Sequence, residues 1–278
     1  MIQTCRATVK ETAEITGIGL HTGQESRLAI CPSEEGGIVF ETPRGRVPAL
    51  AENVRDVSRG TTLGCGEAVI MTTEHLMSAL WGAGIDSALV RCSGCEVPVL
   101  DGSSRPWLSL LEEAGRRELG ASAPELAPAS PLFVSEGGAF IGLLPGKGFS
   151  VEYFLDYPHP MIGARSFLFD GSREQYREYI APSRTFVLYE EIKGLYEQNL
   201  AKGGSVDNCI VVFEDRYSAP LRHGEELVCH KILDLAGDLF LCRAPLGGRV
   251  IACKSGHRLN TRFAALLRQA YISGTRVP

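Results

Sequence analysis

The chain has 278 residues, of which 44% are hydrophobic and 22% charged, a composition that excludes an intrinsically disordered protein. Its formal net charge of −5 excludes a generally basic surface, so we expect no nucleic-acid partner. No apolar run reaches the roughly 18–20 residues that a membrane span needs, and the first residues lack the apolar core of a secretion signal. The sequence therefore predicts a cytoplasmic globular protein without stable membrane insertion.

The nine cysteines are odd in number and scattered, unlike the regular framework of a disulfide-rich secreted domain. Cys92 and Cys95 form a single C-x-x-C pair, and no second pair completes a four-thiolate zinc site. We therefore expect reduced cysteines that pack mostly as small apolar side chains.

Strands and helices alternate along both halves of the chain. In the first half, the pattern predicts strands at 25–33, 36–43 and 87–92 and helices at 72–82 and 104–116. In the second half, it predicts strands at 139–146, 149–157, 209–214 and 248–256 and helices at 172–181, 225–240 and 257–272. Three prolines without periodicity predict an exposed linker at 122–131, between domains at 1–121 and 132–278.

The similar order of elements in the two halves predicts an α+β fold of two related layered domains. A sequence echo supports this prediction, because His75 and His230 each open a helical run. Each histidine is followed by leucine at the fifth position and glycine at the seventh: Leu80 and Gly82 in the first half, Leu235 and Gly237 in the second. The echo indicates that the two halves arose by duplication.

Three residues have the chemistry of a metal site. His230 and Asp234 stand four apart, hence on one helix face, where one ion could bind both side chains. Two ligands are too few for zinc, and His75 is the candidate for the third. Two histidines and one carboxylate leave one position for water, which is typical of a hydrolytic zinc site. Taken singly, a pair spaced like His230 and Asp234 is more often a surface or capped pair, and a residue like His75 is more often a core histidine.

Each histidine also has a chemically useful neighbour. Glu74 precedes His75 and could take a proton from a bound water, whereas Lys231 follows His230 and could hold an anionic group. Asp238 lies one turn beyond Asp234 and could orient a further histidine, for which His257 is the candidate. A histidine of that kind can hold the proton that a general acid must supply. By itself, His257 is also consistent with a helix cap or a solvent-facing side chain.

Five blocks of sequence resemble the UDP-3-O-acyl-N-acetylglucosamine deacetylases. The blocks are "TTEHLMSALWGAGID", "EVPVLDGSS", "SRTF", "HKILDLAGDL" and "KSGHRLN", which follow "GIGLHTG" in order and span nearly the whole chain. That family consists of zinc enzymes that carry out the committed step of lipid A, hence lipopolysaccharide, biosynthesis in Gram-negative bacteria. The resemblance implies two layered domains of βααβ type with the active site between them. It also implies hydrolysis of a linear amide, which releases acetate and leaves a free amine.

Carried over residue by residue, the resemblance assigns the chemistry. It implies zinc ligands at His75, His230 and Asp234, a zinc-bound water as the nucleophile, Glu74 as general base and His257 as general acid. It further implies that Asp238 supports His257 and that Thr185 donates a hydrogen bond to the oxyanion. Iron(II) suits the same ligand set, so the native metal stays open at this stage.

The resemblance also implies the substrate contacts. Lys231 and Lys254 would lie near the diphosphate, Tyr157 would stack on uracil, where the family more often has phenylalanine, and His21 would lie near the substrate. An insert at about 186–210 would form an apolar passage for the acyl chain, lined by Phe186, Ile192, Gly204, Ser205 and Cys209. That insert is also consistent with an ordinary β-α-β excursion, and the acyl chain length stays open.

Two alternatives remain from the sequence alone. One is a zinc amidohydrolase that acts on another N-acylated amino sugar, with the same metal chemistry but a different substrate site. The other is a non-catalytic nucleotide-sugar binding module, which the intact set of ligands, base and acid disfavours. A monomer is the default expectation for the oligomeric state.

Overall fold

The computed structural model of the chain describes residues 5–121 and 124–273. The strands are β1 Cys5–Val9, β2 Ala13–Ile18, β3 Glu25–Cys31, β4 Gly37–Thr42, β5 Gly45–Pro48, β6 Val54–Asp56, β7 Thr62–Cys65, β8 Ala68–Ile70, β9 Ser87–Cys92, β10 Arg116–Ala121, β11 Leu132–Glu136, β12 Ala139–Leu144, β13 Phe149–Tyr157, β14 Gly163–Phe169, β15 Phe186–Leu188, β16 Ile210–Val212 and β17 Gly248–Cys253. The helices are α1 Glu74–Ala83, α2 Arg105–Ala114, α3 Arg173–Gln175, α4 Tyr189–Glu197, α5 Glu226–Phe240 and α6 His257–Ile272.

Two five-stranded sheets have the same topology. Their strand orders are β2-β3-β9-β4-β5 and β11-β12-β17-β13-β14. In each sheet one central pair is parallel, β4 with β9 and β13 with β17, and the other pairs are antiparallel. The crossover between the parallel strands carries α1 in the first half and α5 in the second, and α2 and α6 follow β9 and β17. The predicted α+β fold of two similar domains is thereby confirmed.

The central layer consists of α1 and α5, which pack against each other and are buried along nearly their whole length. Glycine permits this approach, since a β-carbon at Gly237 would lie less than 3.0 Å from the carbonyl group of Glu74. On α1, a β-carbon at Gly82 would overlap the ring of Tyr176 in the same way. The first turn of α1 therefore lies directly against α5 at Gly237.

The chain segment between the halves stays close to the second sheet. Leu126 donates its backbone N–H to the carbonyl of Pro245 at 2.7 Å and accepts from the N–H of Gly247 at 3.1 Å. We propose domain boundaries at 1–121 and 132–278, as the sequence suggests. The first two residues of the proposed linker at 122–131 lie outside the described residues, as do residues 1–4 and 274–278.

Local structure departs from the sequence prediction at the helix expected over 172–181, and the sequence pattern does not predict the edge strands of the two sheets, β2, β5, β11 and β14. The helix predicted at 172–181 is the short α3, which continues as a π-helical turn over Tyr176–Ile180. In that turn Tyr176 is fully buried, and its hydroxyl lies 2.9 Å from Ser78 Oγ on α1, so a tertiary contact accompanies the irregularity. The insert forms a β-α-β unit, in which α4 connects the parallel pair of β15 and β16. No helix within 5–121 or 124–273 is both long and apolar enough to span a bilayer.

Candidate metal and catalytic site

The two central helices bring three potential metal ligands together. His75 comes from the first turn of α1, and His230 and Asp234 lie one turn apart on α5. Asp234 Oδ1 lies 3.4 Å from His230 Nε2 and 3.6 Å from His75 Nε2. One donor atom from each of the three buried residues lies within 4.8 Å of the other two, so the group could hold a metal ion.

The protonation states of these side chains suit a metal. His230 Nδ1 lies 3.1 Å from the carbonyl oxygen of Ser183, which places the ring proton there and leaves the Nε2 lone pair directed at Asp234. Burial lowers the pKa of His230 to about 3, so the ring is neutral. Burial alone would raise the pKa of Asp234, but the charges and hydrogen bonds of its neighbours, the Lys231 ammonium among them, outweigh burial and hold that pKa well below its ordinary value. Two imidazole rings and one carboxylate are a donor set that fits zinc.

Glu74 is fixed beside this group by a loop of the first half. The side chain is buried, and its Oε2 accepts the backbone N–H of Thr61 at 2.9 Å. The preceding Gly60 packs on the same carboxylate, since a β-carbon there would lie 2.8 Å from Oε1. The loop thus holds one carboxylate oxygen and sets the direction of the other.

His257 begins α6 and faces Asp238 on α5. Its Nδ1 lies 2.9 Å from Asp238 Oδ2, which also accepts from Asn260 Nδ2 at 3.0 Å. The other oxygen of Asp238 accepts the hydroxyl of Thr61 at 2.5 Å. Burial alone would lower the pKa of His257, but the fully buried Asp238 carboxylate reverses the effect and raises it to about 10. With Nδ1 engaged, Nε2 is the ring atom available for proton donation.

A single cavity of about 440 Å³ joins the metal group to the insert. All predicted site residues except Asp238 and Lys254 lie in its walls: His21, Glu74, His75, Tyr157, Thr185, Phe186, Ile192, Gly204, Ser205, Cys209, His230, Lys231, Asp234 and His257. The cavity therefore has a polar end at the metal group and a largely apolar wall in 186–211.

Comparison with known proteins agrees with this geometry. A family model described as LpxC, UDP-3-O-acyl N-acetylglycosamine deacetylase, matches residues 6–269. The chain belongs to this family. It is 40% identical over 264 residues to the UDP-3-O-acyl-N-acetylglucosamine deacetylase of Saccharophagus degradans, covering 92% of this chain and 87% of that protein. The enzyme of the same name from Chlamydia felis is 38% identical over 267 residues, with 94% and 95% coverage, and that of Legionella pneumophila strain Lens is 39% identical over 274 residues, with 95% and 89%.

Two predicted site residues of the deacetylase lie outside the cavity walls. Asp238 lies behind His257, where it acts on the ring without reaching the cavity. Lys254 adopts a left-handed backbone conformation with φ of 54°, and its Nζ lies 2.6 Å from Asp156 Oδ2. Both members of that pair are about half exposed. Lys231, by contrast, is inside the cavity, where its Nζ lies 2.6 Å from Asp234 Oδ2.

The structure also contains site residues that the sequence did not indicate. Arg59, in a loop of the first half, forms an ion pair at 2.8 Å with Glu191 on α4, and both side chains line the cavity. Thr61 holds both Glu74 and Asp238. No local pattern marks these residues, because their partners are far away in the sequence. The apolar residues of α4 that line the cavity, Ile192, Leu195 and Tyr196, do follow helical spacing, which could have revealed the helix.

Proposed function

We propose that the chain hydrolyses the N-acetyl group of UDP-3-O-(3-hydroxyacyl)-N-acetylglucosamine, giving the free amine and acetate, in the committed step of lipid A biosynthesis. Family membership supports the reaction. The observation that carries the proposal is the continuity of the cavity, which leads from the His75–His230–Asp234 group to an apolar wall in the insert. A substrate with one amide near its diphosphate and one long acyl chain matches that distribution of polar and apolar surface.

We propose Zn²⁺ as the catalytic ion, held by His75, His230 and Asp234, with iron(II) as the alternative that suits the same donors. When bound, the ion supplies Lewis acidity and lowers the pKa of a water molecule to about 7. Elemental analysis of protein purified without chelator checks the proposal, which requires about one equivalent of metal per chain. A preparation that is fully active without any bound metal would contradict it.

Proton transfers are assigned to two side chains on opposite halves. Glu74 acts as general base, because Thr61 holds one of its oxygens and the other is left to accept a proton in the cavity. His257 acts as general acid toward the leaving amine from Nε2, since Asp238 engages Nδ1 and keeps the ring protonated. Each transfer of this kind is typically worth about 10²–10⁴ in rate.

Thr185 is proposed as the hydrogen-bond donor to the developing oxyanion. Its backbone is held from both sides, because its N–H donates to Gly102 O at 2.8 Å and its carbonyl accepts from Ile210 N–H at 2.9 Å. The side chain lines the cavity from this rigid position. Loss of one such donor typically costs about 10²–10³ in rate.

The substrate contacts are proposals of the same kind. Lys231 and Lys254 would bind the diphosphate, Tyr157 would stack on uracil, and His21 would contact the substrate. Solvent screens the half-exposed pair of Lys254 and Asp156, so Lys254 can turn toward a diphosphate at small cost. The acyl chain would lie along Phe186, Ile192, Gly204, Ser205 and Cys209. We further propose that the chain is cytoplasmic and that it is a monomer; sedimentation of the purified chain tests the oligomeric state.

Acetate release from UDP-3-O-(3-hydroxyacyl)-N-acetylglucosamine of several chain lengths tests the function. We expect release with one chain length preferred, and much slower release from UDP-N-acetylglucosamine, which lacks the acyl chain. No release at any chain length by folded, metal-loaded protein would refute the proposal. Equal release with and without the acyl chain would favour an amidohydrolase for another N-acylated amino sugar.

A further inference from the structure

One buried carboxylate outside the cavity walls connects the two ends of the site. Glu96 follows β9 and is 2% exposed. Its Oε1 accepts the backbone N–H of His21 at 2.8 Å and the hydroxyl of Thr72 at 2.9 Å. Its Oε2 accepts both the N–H and the hydroxyl of Thr22, at 2.8 and 2.6 Å. Four donors from two separate segments therefore meet on one side chain.

The first of these segments forms backbone hydrogen bonds with the insert. The loop at 19–23 passes so close to Glu96 that a β-carbon at Gly19 would overlap the carboxylate. Its carbonyl groups in turn accept from the insert, Leu20 O from the N–H of Gly203 at 3.0 Å and His21 O from that of Lys202 at 3.4 Å. The wall of the cavity at 201–204 thus rests on the loop that Glu96 holds.

The second segment leads into the first turn of α1. Thr72 has a φ of 56°, a left-handed conformation that is uncommon for a β-branched residue and needs support from its surroundings. The hydrogen bond from its hydroxyl to Glu96 supplies that support. Because Glu74 and His75 follow two and three residues later, the conformation at Thr72 sets where α1 begins.

We propose that Glu96 is a positioning residue, which holds the acyl-passage wall and the base-bearing end of α1 at a fixed separation. Through Thr22 it acts on recognition of the acyl chain, and through Thr72 it acts on Glu74. The part that concerns acyl recognition and turnover rests on the proposed function. The part that concerns the connection between the loop and the insert does not depend on any substrate.

Valine variants test the contacts of Glu96 with Thr22 and with Thr72 separately, because valine removes the hydroxyl and keeps the shape of threonine. Serine variants, which keep the hydroxyl, are the matched controls. Thr22→Val should raise KM for a long-chain substrate about tenfold, with little change in kcat and little effect on the acyl-free compound. Thr72→Val should lower kcat about tenfold for both substrates at saturating metal. In Thr22→Ser and Thr72→Ser, kcat and KM should stay close to those of the wild-type chain. Glu96→Ala removes both acceptor oxygens, so kcat/KM should fall about 10- to 100-fold with the long-chain substrate.

Amide hydrogen exchange supplies a readout that is independent of activity. In Glu96→Ala, the amides of His21 and Thr22 and that of Gly203 in the insert should lose protection together, whereas β17 keeps its protection. Unchanged protection of Gly203 would overturn the proposal. It would also be overturned if the two valine variants changed kcat and KM in the same way, or if each serine variant had the same kinetic defect as the matching valine variant. If the wild-type chain releases no acetate, the proposed function fails, and the exchange result still decides whether Glu96 connects the loop to the insert.

Discussion

The contact between α5 and α1 at Gly237 provides a sharp test of how the metal site is assembled. In Gly237→Ala, the new β-carbon would lie 2.8 Å from the carbonyl carbon of Glu74 and 3.0 Å from its Cα, and closer still to the carbonyl oxygen. These are backbone atoms, so no side-chain rotation can relieve the overlap. Moving the carbonyl carbon from 2.8 Å to an ordinary contact of 3.4 Å requires the helices to separate by at least 0.6 Å.

The magnitude follows from two opposing effects. Alanine in a helix interior is favoured over glycine by about 0.5–1 kcal/mol, whereas overpacking a core contact costs about 1–3 kcal/mol. The free energy of unfolding should therefore fall by roughly 1–2 kcal/mol. The displacement also separates His75 from His230 and Asp234 by more than the roughly 0.2 Å that metal coordination tolerates. We expect a loss of about 10- to 100-fold in metal affinity and turnover.

Urea denaturation and metal titration measure both effects, with Gly194→Ala as the matched control. Gly194 lies in the interior of α4, and a β-carbon there would meet nothing within 4 Å. The control has the same gain in helix propensity without the overlap, so its free energy of unfolding should rise by about 0.5–1 kcal/mol. If Gly237→Ala matches the control in stability and keeps full metal affinity, the close helix contact does not set the site geometry.

Two further predictions concern the site, and a third concerns the buried ion pair of Arg184 and Glu226. Asp238→Asn removes the charge that raises the pKa of His257. Because the protonated acid disappears as pH rises through that pKa, the alkaline limb of the kcat/KM profile should move to lower pH. An alkaline limb that does not move would contradict the role of His257 as general acid. Removal of metal by a chelator should abolish acetate release, and one equivalent of Zn²⁺ should restore it; activity that survives chelation would exclude a metal-dependent reaction. Glu226→Ala leaves the buried Arg184 without the carboxylate that lies 2.8 Å from it in the native chain. In urea denaturation, the free energy of unfolding should fall by about 3–5 kcal/mol. The control Glu197→Ala removes a carboxylate from an exposed ion pair and should change the free energy of unfolding by less than about 1 kcal/mol.

The sequence predicts the three central strands of each five-stranded sheet and most of the helices, because its main signals are local. Periodicity indicates the helices that become α1, α2, α5 and α6, and the spacing of His230 and Asp234 indicates a shared helix face. Periodicity does not bring His75 to that face; its place follows from the close packing of two helices far apart in the chain. Strands of three or four residues, such as β6 to β8, are too short for alternation to be distinguished from chance. The longer edge strands β2 and β14 escape prediction because all but one of the residues in each are partly buried or exposed, which leaves little apolar pattern.

The residues that hold the catalytic groups escaped prediction for a related reason. Thr61 reaches Asp238 across 177 positions, and Glu96 reaches His21 across 75. Each of these contacts depends on how two distant segments pack, which a local pattern does not contain. A buried charge between apolar residues, as in the "EVPVL" that begins at Glu96, is nevertheless a signal, since burial of a carboxylate requires several donors.

The similar topology of the two halves also bears on why the proposed metal site would have one coordination position free. The two sheets share one topology, so α1 and α5 occupy equivalent positions, and His75 corresponds to His230. Four residues later α5 has Asp234, but α1 has Ala79. A second aspartate at 79 would give two histidines and two carboxylates, enough to fill all four positions of a closed zinc site. At the proposed metal site, the alanine leaves α1 with one donor, so the open position that hydrolysis would require comes from a difference between the two helices.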